Sequence, residues 1–355
     1  MNNSELDFVY HIMEGWKFIP EWLPCENEEP KEFLYHYTTL EGLLGIIGDE
    51  SIRATHVRYL NDKTELKNAL SPEFEDQILN NIFPLLDEEQ KKSLRKLRQN
   101  KKIPEVFVAS FTDDASAQFE GETRPWDRLS QWRAYSNPTG GFSLGFDSRM
   151  IMEGLKLSGL KGTSANLLLR CRYNSEEKRK AAVRIGKWAF EIHRQIPESR
   201  IIHFRKESGR EPNPTEREFI EILSKSYVLA IADAKYFIEE AARFKDMAFS
   251  EECEWRIVIH ADRQNLMYAH CSDHSSPIVQ FRQGKYGLTP YINLPLQLTT
   301  PESSLRRIIV GPSPYEEETV GGVKLLLESK GIKIKTDESP NGVEVVPSKI
   351  PYRNW

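Results

Sequence analysis

No run in this 355-residue chain approaches the roughly 18 consecutive apolar residues of a membrane span, so no spanning helix is expected. Cysteine is scarce: Cys25, Cys171, Cys253 and Cys271 are widely separated and form no C-x-x-C pair. That spacing argues against both a disulfide framework and a zinc ribbon. Charge of one sign is lacking too, and a formal net charge of −5 carries no polyanion-binding signature. The chain has no internal repeat, Walker loop, G-x-G-x-x-G, H-E-x-x-H or G-x-S-x-G. Its opening residues, Met1 to Asp7, are polar and acidic, unlike a secretory signal, and the expected location is the cytoplasm.

What is present describes a globular protein, with 39% hydrophobic, 10% aromatic and 28% charged residues. The stretch from Phe33 to Ile47 reads as a strand running into a helix. Phe33 to Tyr37 has the aromatic, apolar composition of a buried strand. Thr38 stands three residues before Glu41, a capping-box spacing. Leu40, Leu43, Leu44 and Ile47 follow at helical spacing, and Gly48 is placed to end the helix. His36, near the strand's end, is either a histidine hydrogen-bonded in the core or a ligand-binding group.

Further strands are expected at 51–57, 106–111, 142–147 and 166–173, in the tail of 249–259, and at 278–281 and 291–294, with further apolar stretches at 305–311, 332–335 and 343–346. Ser313, Pro314 and Glu316 predict a helix with Ser313 as N-cap, running to Lys330 and stopped by Gly331. Residues 1–32, with Trp16, Phe18, Ile19, Trp22 and Leu23, read as an N-terminal helical extension. The rest, 33–353, reads as a single α+β domain with a helical insertion at about 176–245. Its sheet is expected to be mixed, whole or split.

Two stretches are basic. One is a helix carrying Lys91, Lys92, Arg95, Lys96, Arg98, Lys101 and Lys102. The other holds ten Lys/Arg against three Glu between Lys178 and Arg210. Each is either a solvated face or a surface for an anionic partner.

Two groups carry candidate chemistry. Ser130, Gln131, Trp132, Arg133 and Tyr135 place polar groups and aromatic rings within two helical turns, as a pocket lining or as an amphipathic connector. Glu252 and Glu254 are two apart, which in a strand puts both carboxylates on one face. Like charges so placed raise at least one pKa or require a partner. Arg256, on the same face, is the alternative: a plain ion pair with Glu254. A metal-dependent hydrolase built on His36, Asp62 and Glu254 ranks last, because no ligand cluster has the right spacing.

Several motifs taken together point to one family. They are Tyr35-His36-Tyr37-Thr38-Thr39, Tyr59-Leu60-Asn61-Asp62, Leu129 to Tyr135, Glu252-Cys253-Glu254-Trp255-Arg256, Val310-Gly311-Pro312 and Ser348 to Arg353. Through them the chain resembles, over residues 33–353, the bacterial domain-of-unknown-function family numbered 2971. More distantly it resembles the ADP-ribosyltransferases, whose first strand bears a His or Arg and a later strand a Glu-x-Glu. His36 fits the first position and Glu252-x-Glu254 the last, while the Ser-Thr-Ser middle motif has no counterpart. This resemblance implies NAD as substrate, with His36, Glu252 and Glu254 as catalytic residues. It implies NAD contacts from His36, Tyr37, Thr38, Gln131, Trp132, Arg133 and Tyr135, with no metal. The implied acceptor is a protein or nucleic acid and the implied role a bacterial toxin or phage-defence effector. A non-enzymatic nucleic-acid or nucleotide-binding module is the alternative.

Overall fold

The computed structural model describes residues 32–60, 105–113, 127–136, 140–158, 163–218, 220, 221, 224, 240–261, 279–284, 287–299 and 303–352. They fall in two compact units, one holding the described residues of 175–241 and the other the rest. The expected N-terminal extension, the basic helix at 91–102 and the Asn61–Asp62 pair lie outside the described residues.

In the larger unit the strand-to-helix expectation holds, with adjusted ends. Strand β1 (Phe33–Thr38) leads into α1 (Leu40–Asp49). Thr39, not Thr38, is the N-cap, its side chain accepting from Gly42 N at 3.3 Å. Thr38 is still in the ladder opposite Phe142, so its extended backbone cannot also start the helix. Gly42 is needed there for closeness: a Cβ would stand 1.9 Å from Thr38 Oγ1. Gly48 lies inside α1, and Glu50, at φ 45°, takes the left-handed cap position. The buried stripe of α1 is Leu43, Ile46 and Ile47, while Leu40 and Leu44 are exposed.

Among the described residues ten strands form one open sheet. They are β1, β2 (Ser51–His56), β3 (Glu105–Asp113), β4 (Phe142–Asp147), β5 (Thr163–Arg170), β6 (Glu254–Ala261), β7 (Val279–Gly284), β8 (Gly287–Pro295), β9 (Leu305–Val310) and β10 (Glu344–Pro347). The path runs β10-β9-β4-β1-β3-β2-β8-β7, and β6 lies between β3 and β5. Pairing is antiparallel except for β9 with β10, so the unit is mixed α+β. The stretch 332–335 makes only a bridge, Ile334 to Val343.

Both faces of the central strands are covered, which explains their nearly continuous apolar composition. One face carries Leu34, Phe107, Phe111, Phe142, Phe146 and Ile257, packed with Leu43 and Ile47 of α1, Ile151 of α3 (Ser148–Ser158) and Leu327 of α5 (Glu316–Ser329). Each buried phenylalanine contributes about 1.5–3 kcal/mol through the area it removes from water. The other face carries Tyr35, Tyr37 and Ile309 against Trp132 of α2 (Leu129–Tyr135). Gly311 permits that contact, since a Cβ there would meet the Trp132 ring at 2.8 Å. Helix α5 starts at Glu316, two residues past the expected point, because Ser313 Oγ accepts from Tyr315 N in a local turn instead of capping the helix. Gly331, at φ 70°, follows the helix as expected.

In the smaller unit a long helix, α4, runs Ser175–Ser208. Several of its basic side chains are matched by carboxylates. Arg179 pairs with Glu176, Arg184 with the buried Glu240 and Arg205 with Glu211. Beyond the helix, Arg210 pairs with Glu216. The positive excess is thus partly offset locally.

Candidate functional site

The site grows out of the way β1 and β2 share β3. Strand β6 occupies one edge of β3 along its length, from Glu105 opposite Ala261 to Thr112 opposite Glu254. The other edge is divided. Strand β1 meets it at Thr112 and Asp113, and β2 meets it at Phe107 and Val108. Between those pairs, along Ala109 to Phe111, β3 has no ladder partner on that edge among the described residues. Both β1 and β2 run antiparallel to β3, hence in the same direction, and α1 connects them. The sheet is parted at that point.

His36 fills part of the opening. Its Nδ1 lies 2.9 Å from the Ser110 carbonyl, to which it donates, so a side chain takes the place of a missing ladder bond. The ring also tilts against Phe111, centroids 5.8 Å apart. Burial lowers the His36 pKa, opposed by the bond to Ser110, so the imidazole is held neutral. With the proton on Nδ1, Nε2 keeps its lone pair.

A cleft of about 560 Å³ occupies this opening, a volume in the usual range for small-molecule sites. Its walls include His36, Thr38, Thr39, Arg53, Tyr59, Ser110, Tyr135 and Arg282. Of the sequence candidates, His36, Thr38 and Tyr135 are brought together here. Tyr37, Gln131, Trp132, Arg133, Glu252 and Glu254 do not line the cleft.

The carboxylates belong to a cluster of their own, with Glu254 buried and Glu252 half-buried. Glu252 ends a 3₁₀ turn (Met247–Glu252), and β6 begins at Glu254, so strand alternation does not relate them as the spacing suggested. What relates them is Cys253, whose left-handed backbone (φ 44°) joins the turn to the strand. Lys245 Nζ then donates to Glu252 and to Glu254, at 2.5 Å each. Arg256 donates to Glu254 from Nε at 2.8 Å and Nη2 at 3.3 Å, so the ion pair raised as the alternative is formed. Burial alone would raise the Glu254 pKa, but Arg256 and Lys245 bring it down to about 2. Glu252 goes the other way: burial raises its pKa and Lys245 only partly offsets this.

Tyr135 connects cluster and cleft. It lines the cleft, and its hydroxyl pKa is pushed up to about 12, first by burial and then by the negative charges of Glu252 and Glu254.

The remaining candidates serve the second face. Trp132 is fully buried, edge-on to Tyr37 with centroids 4.8 Å apart. Its Nε1 donates to Asp127 at 2.6 Å, and Asp127 also accepts from Ser348 Oγ at 2.6 Å and Lys349 N at 2.7 Å. The Tyr37 hydroxyl accepts from Arg128 N at 3.2 Å, and Gln131 is buried. Arg133 stacks on Tyr352, 5.6 Å from the ring centroid.

Sequence reasoning missed Lys245, Arg53, Arg282 and Asp127. Lys245 sits in a stretch that reads as the end of a helix, seven residues before Glu252, and no local pattern marks it. Arg53 and Arg282 are single arginines on alternating strands. Among the described residues, no group of three or more His, Cys, Asp or Glu is placed to hold a metal. No described helix is long and apolar enough to cross a membrane.

Residues 131–257 match a family described as a protein of unknown function, DUF2971. The segment covers α2 through the start of β6, including Tyr135, Lys245, Glu252 and Glu254, but not His36 or the motifs after 257. No curated protein and no solved structure matches the chain.

Proposed function

We propose that the chain is an ADP-ribosyltransferase-like enzyme that cleaves NAD and transfers ADP-ribose to a protein or nucleic acid. The proposed setting is the bacterial cytoplasm, in the role of a toxin or phage-defence effector. One observation supports this reading above the rest: a nucleotide-sized cleft at the parted sheet, with neutral His36 and Tyr135 on its walls and the carboxylates of buried Glu254 and half-buried Glu252 behind Tyr135. His36 Nε2 is free to accept from a ribose hydroxyl, and the Tyr135 ring offers a face for a base or nicotinamide. As the bond from ribose C1 to nicotinamide breaks, its electron pair leaves with nicotinamide and positive charge builds on the sugar. Glu254, ionised behind Tyr135, stabilises that charge from outside the cleft. The acceptor's nucleophile bonds to C1 and gives its proton to water, since Glu252 does not line the cleft.

A second reading rests on Glu254 itself, which is 3% exposed and engaged by both Arg256 and Lys245. In that reading the carboxylates are structural, and the cleft binds a nucleotide without turning it over.

The deciding experiment incubates the full chain with labelled NAD and total cellular RNA, DNA and protein, beside Glu254→Gln and Glu252→Gln, with melting curves as the folding control. Label transfer or nicotinamide release by wild type, lost in folded variants, is the expected result. A rise in melting temperature with NAD but no turnover would leave the binding reading standing.

A further inference from the structure

We propose that Arg53 and Arg282 form the anion-binding end of the cleft and that its ligand carries a diphosphate group there. The proposal rests on the cleft being a nucleotide site, and it leaves out Arg133, the arginine that the resemblance counts among the NAD contacts.

The two arginines are brought together by register. On β8, Arg53 stands opposite Asn293, and Arg282 stands opposite Thr289. Strand alternation puts Arg53, Asn293, Tyr291, Thr289 and Arg282 on one face, because Ile52, Ala54, Ile292 and Leu294 fill the core on the other. The Arg53 guanidinium lies 5.2 Å from the Tyr291 ring centroid, and Tyr291 is fixed in turn by its hydroxyl donating to Gln280 at 2.9 Å. This stack orients the planar fork without using its N–H donors, which stay available to an oxyanion.

Both side chains are exposed and line the cleft, and among the described residues neither has a carboxylate partner. Among the described residues Glu41 is the one carboxylate on the cleft wall, so two guanidiniums face one negative charge there. Two strand spacings, across β8, and four residues along it separate their Cα atoms, roughly 16 Å by sheet spacings. With two arginine side chains reaching in from its ends, that separation fits an oxyanion held from both sides, and a diphosphate offers each planar fork oxygens of its own. Arg133 is committed to Tyr352 and lies off the cleft.

The test measures binding of ADP, inorganic pyrophosphate and adenosine to the full chain, its Arg53→Gln/Arg282→Gln variant and Arg133→Gln. The expected result is salt-sensitive ADP and pyrophosphate binding. The double variant should lose about tenfold or more in ADP affinity, the scale of one or two charge-assisted bonds. Adenosine binding, the melting temperature and the behaviour of Arg133→Gln should not change. Failure of wild type to bind ADP or pyrophosphate, or wild-type ADP affinity in the double variant, would overturn the proposal. The enzyme reading fails separately. If ADP binding needs both arginines but NAD is never cleaved, the anion site stands and the transferase does not. If NAD is cleaved with the same KM by the double variant, the reverse holds.

Discussion

His36 Nδ1 donates to the Ser110 carbonyl at 2.9 Å, across the stretch of that β3 edge, Ala109 to Phe111, where neither β1 nor β2 supplies a described ladder partner. The bond fixes the tautomer, holds the parted strands in register and leaves Nε2 as an acceptor. Because burial lowers the His36 pKa below its ordinary 6.5, the unfolded chain binds more protons than the folded one at mildly acid pH. The stability contributed by neutral His36 is therefore complete above 6.5 and is lost as pH falls through the folded value. His56, also lowered by burial despite its 2.7 Å contact with Glu105, adds a loss of the same sign. His36→Asn should show a smaller fall in melting temperature than wild type between about pH 7.5 and 5.5. An unchanged fall would mean that His36 does not stay neutral in the folded protein.

Lys245 is the residue on which the carboxylate cluster depends. It is buried and donates to both Glu252 and Glu254. Removing one member of a buried charge group typically costs about 3–5 kcal/mol, because the partner's charge is left without compensation. Lys245→Met should destabilise the protein on that scale in urea unfolding. Adding Glu252→Gln should recover part of the loss, since one of the stranded charges is then removed. Arg256 still holds Glu254 in both variants. If the double variant is no more stable than Lys245→Met alone, the shared-lysine account is wrong.

How much of this was legible from the chain differs by element. β4 was expected over the residues it occupies, and β1 came within one residue, because apolar strands buried on both faces announce themselves without context. The caps were harder to place. Thr38 and Thr39 are equally plausible N-caps by residue type, and the choice was made by the β1–β4 ladder, which claims Thr38. For the site, His36 and Tyr135 could be named from their positions at element ends. The relation between Glu252 and Glu254 could be suspected, but not the reason for it. Lys245 enters through tertiary structure, and the two cleft arginines through the register of β2, β8 and β7, neither of which leaves a local pattern.

Cys253 gives the sharpest test of how the cluster is built. It is one of two non-glycine residues with positive φ among those described, and it sits between the two carboxylates. A left-handed residue at the junction turns the chain so that Glu252, on the 3₁₀ turn, and Glu254, on β6, reach the same lysine. An L-residue pays about 1–2 kcal/mol for that conformation, more when it is β-branched. Cys253→Gly should therefore be neutral or stabilising, while Cys253→Val should destabilise by about 1–2 kcal/mol beyond the loss of the thiol. The thiol's own contact, 3.4 Å to the Ser250 carbonyl, is weak and common to both losses. If the cluster also supports NAD cleavage, Cys253→Val should lose turnover and Cys253→Gly should keep it. Equal stability and turnover in the two variants would show that the backbone at this position does not set the carboxylate geometry.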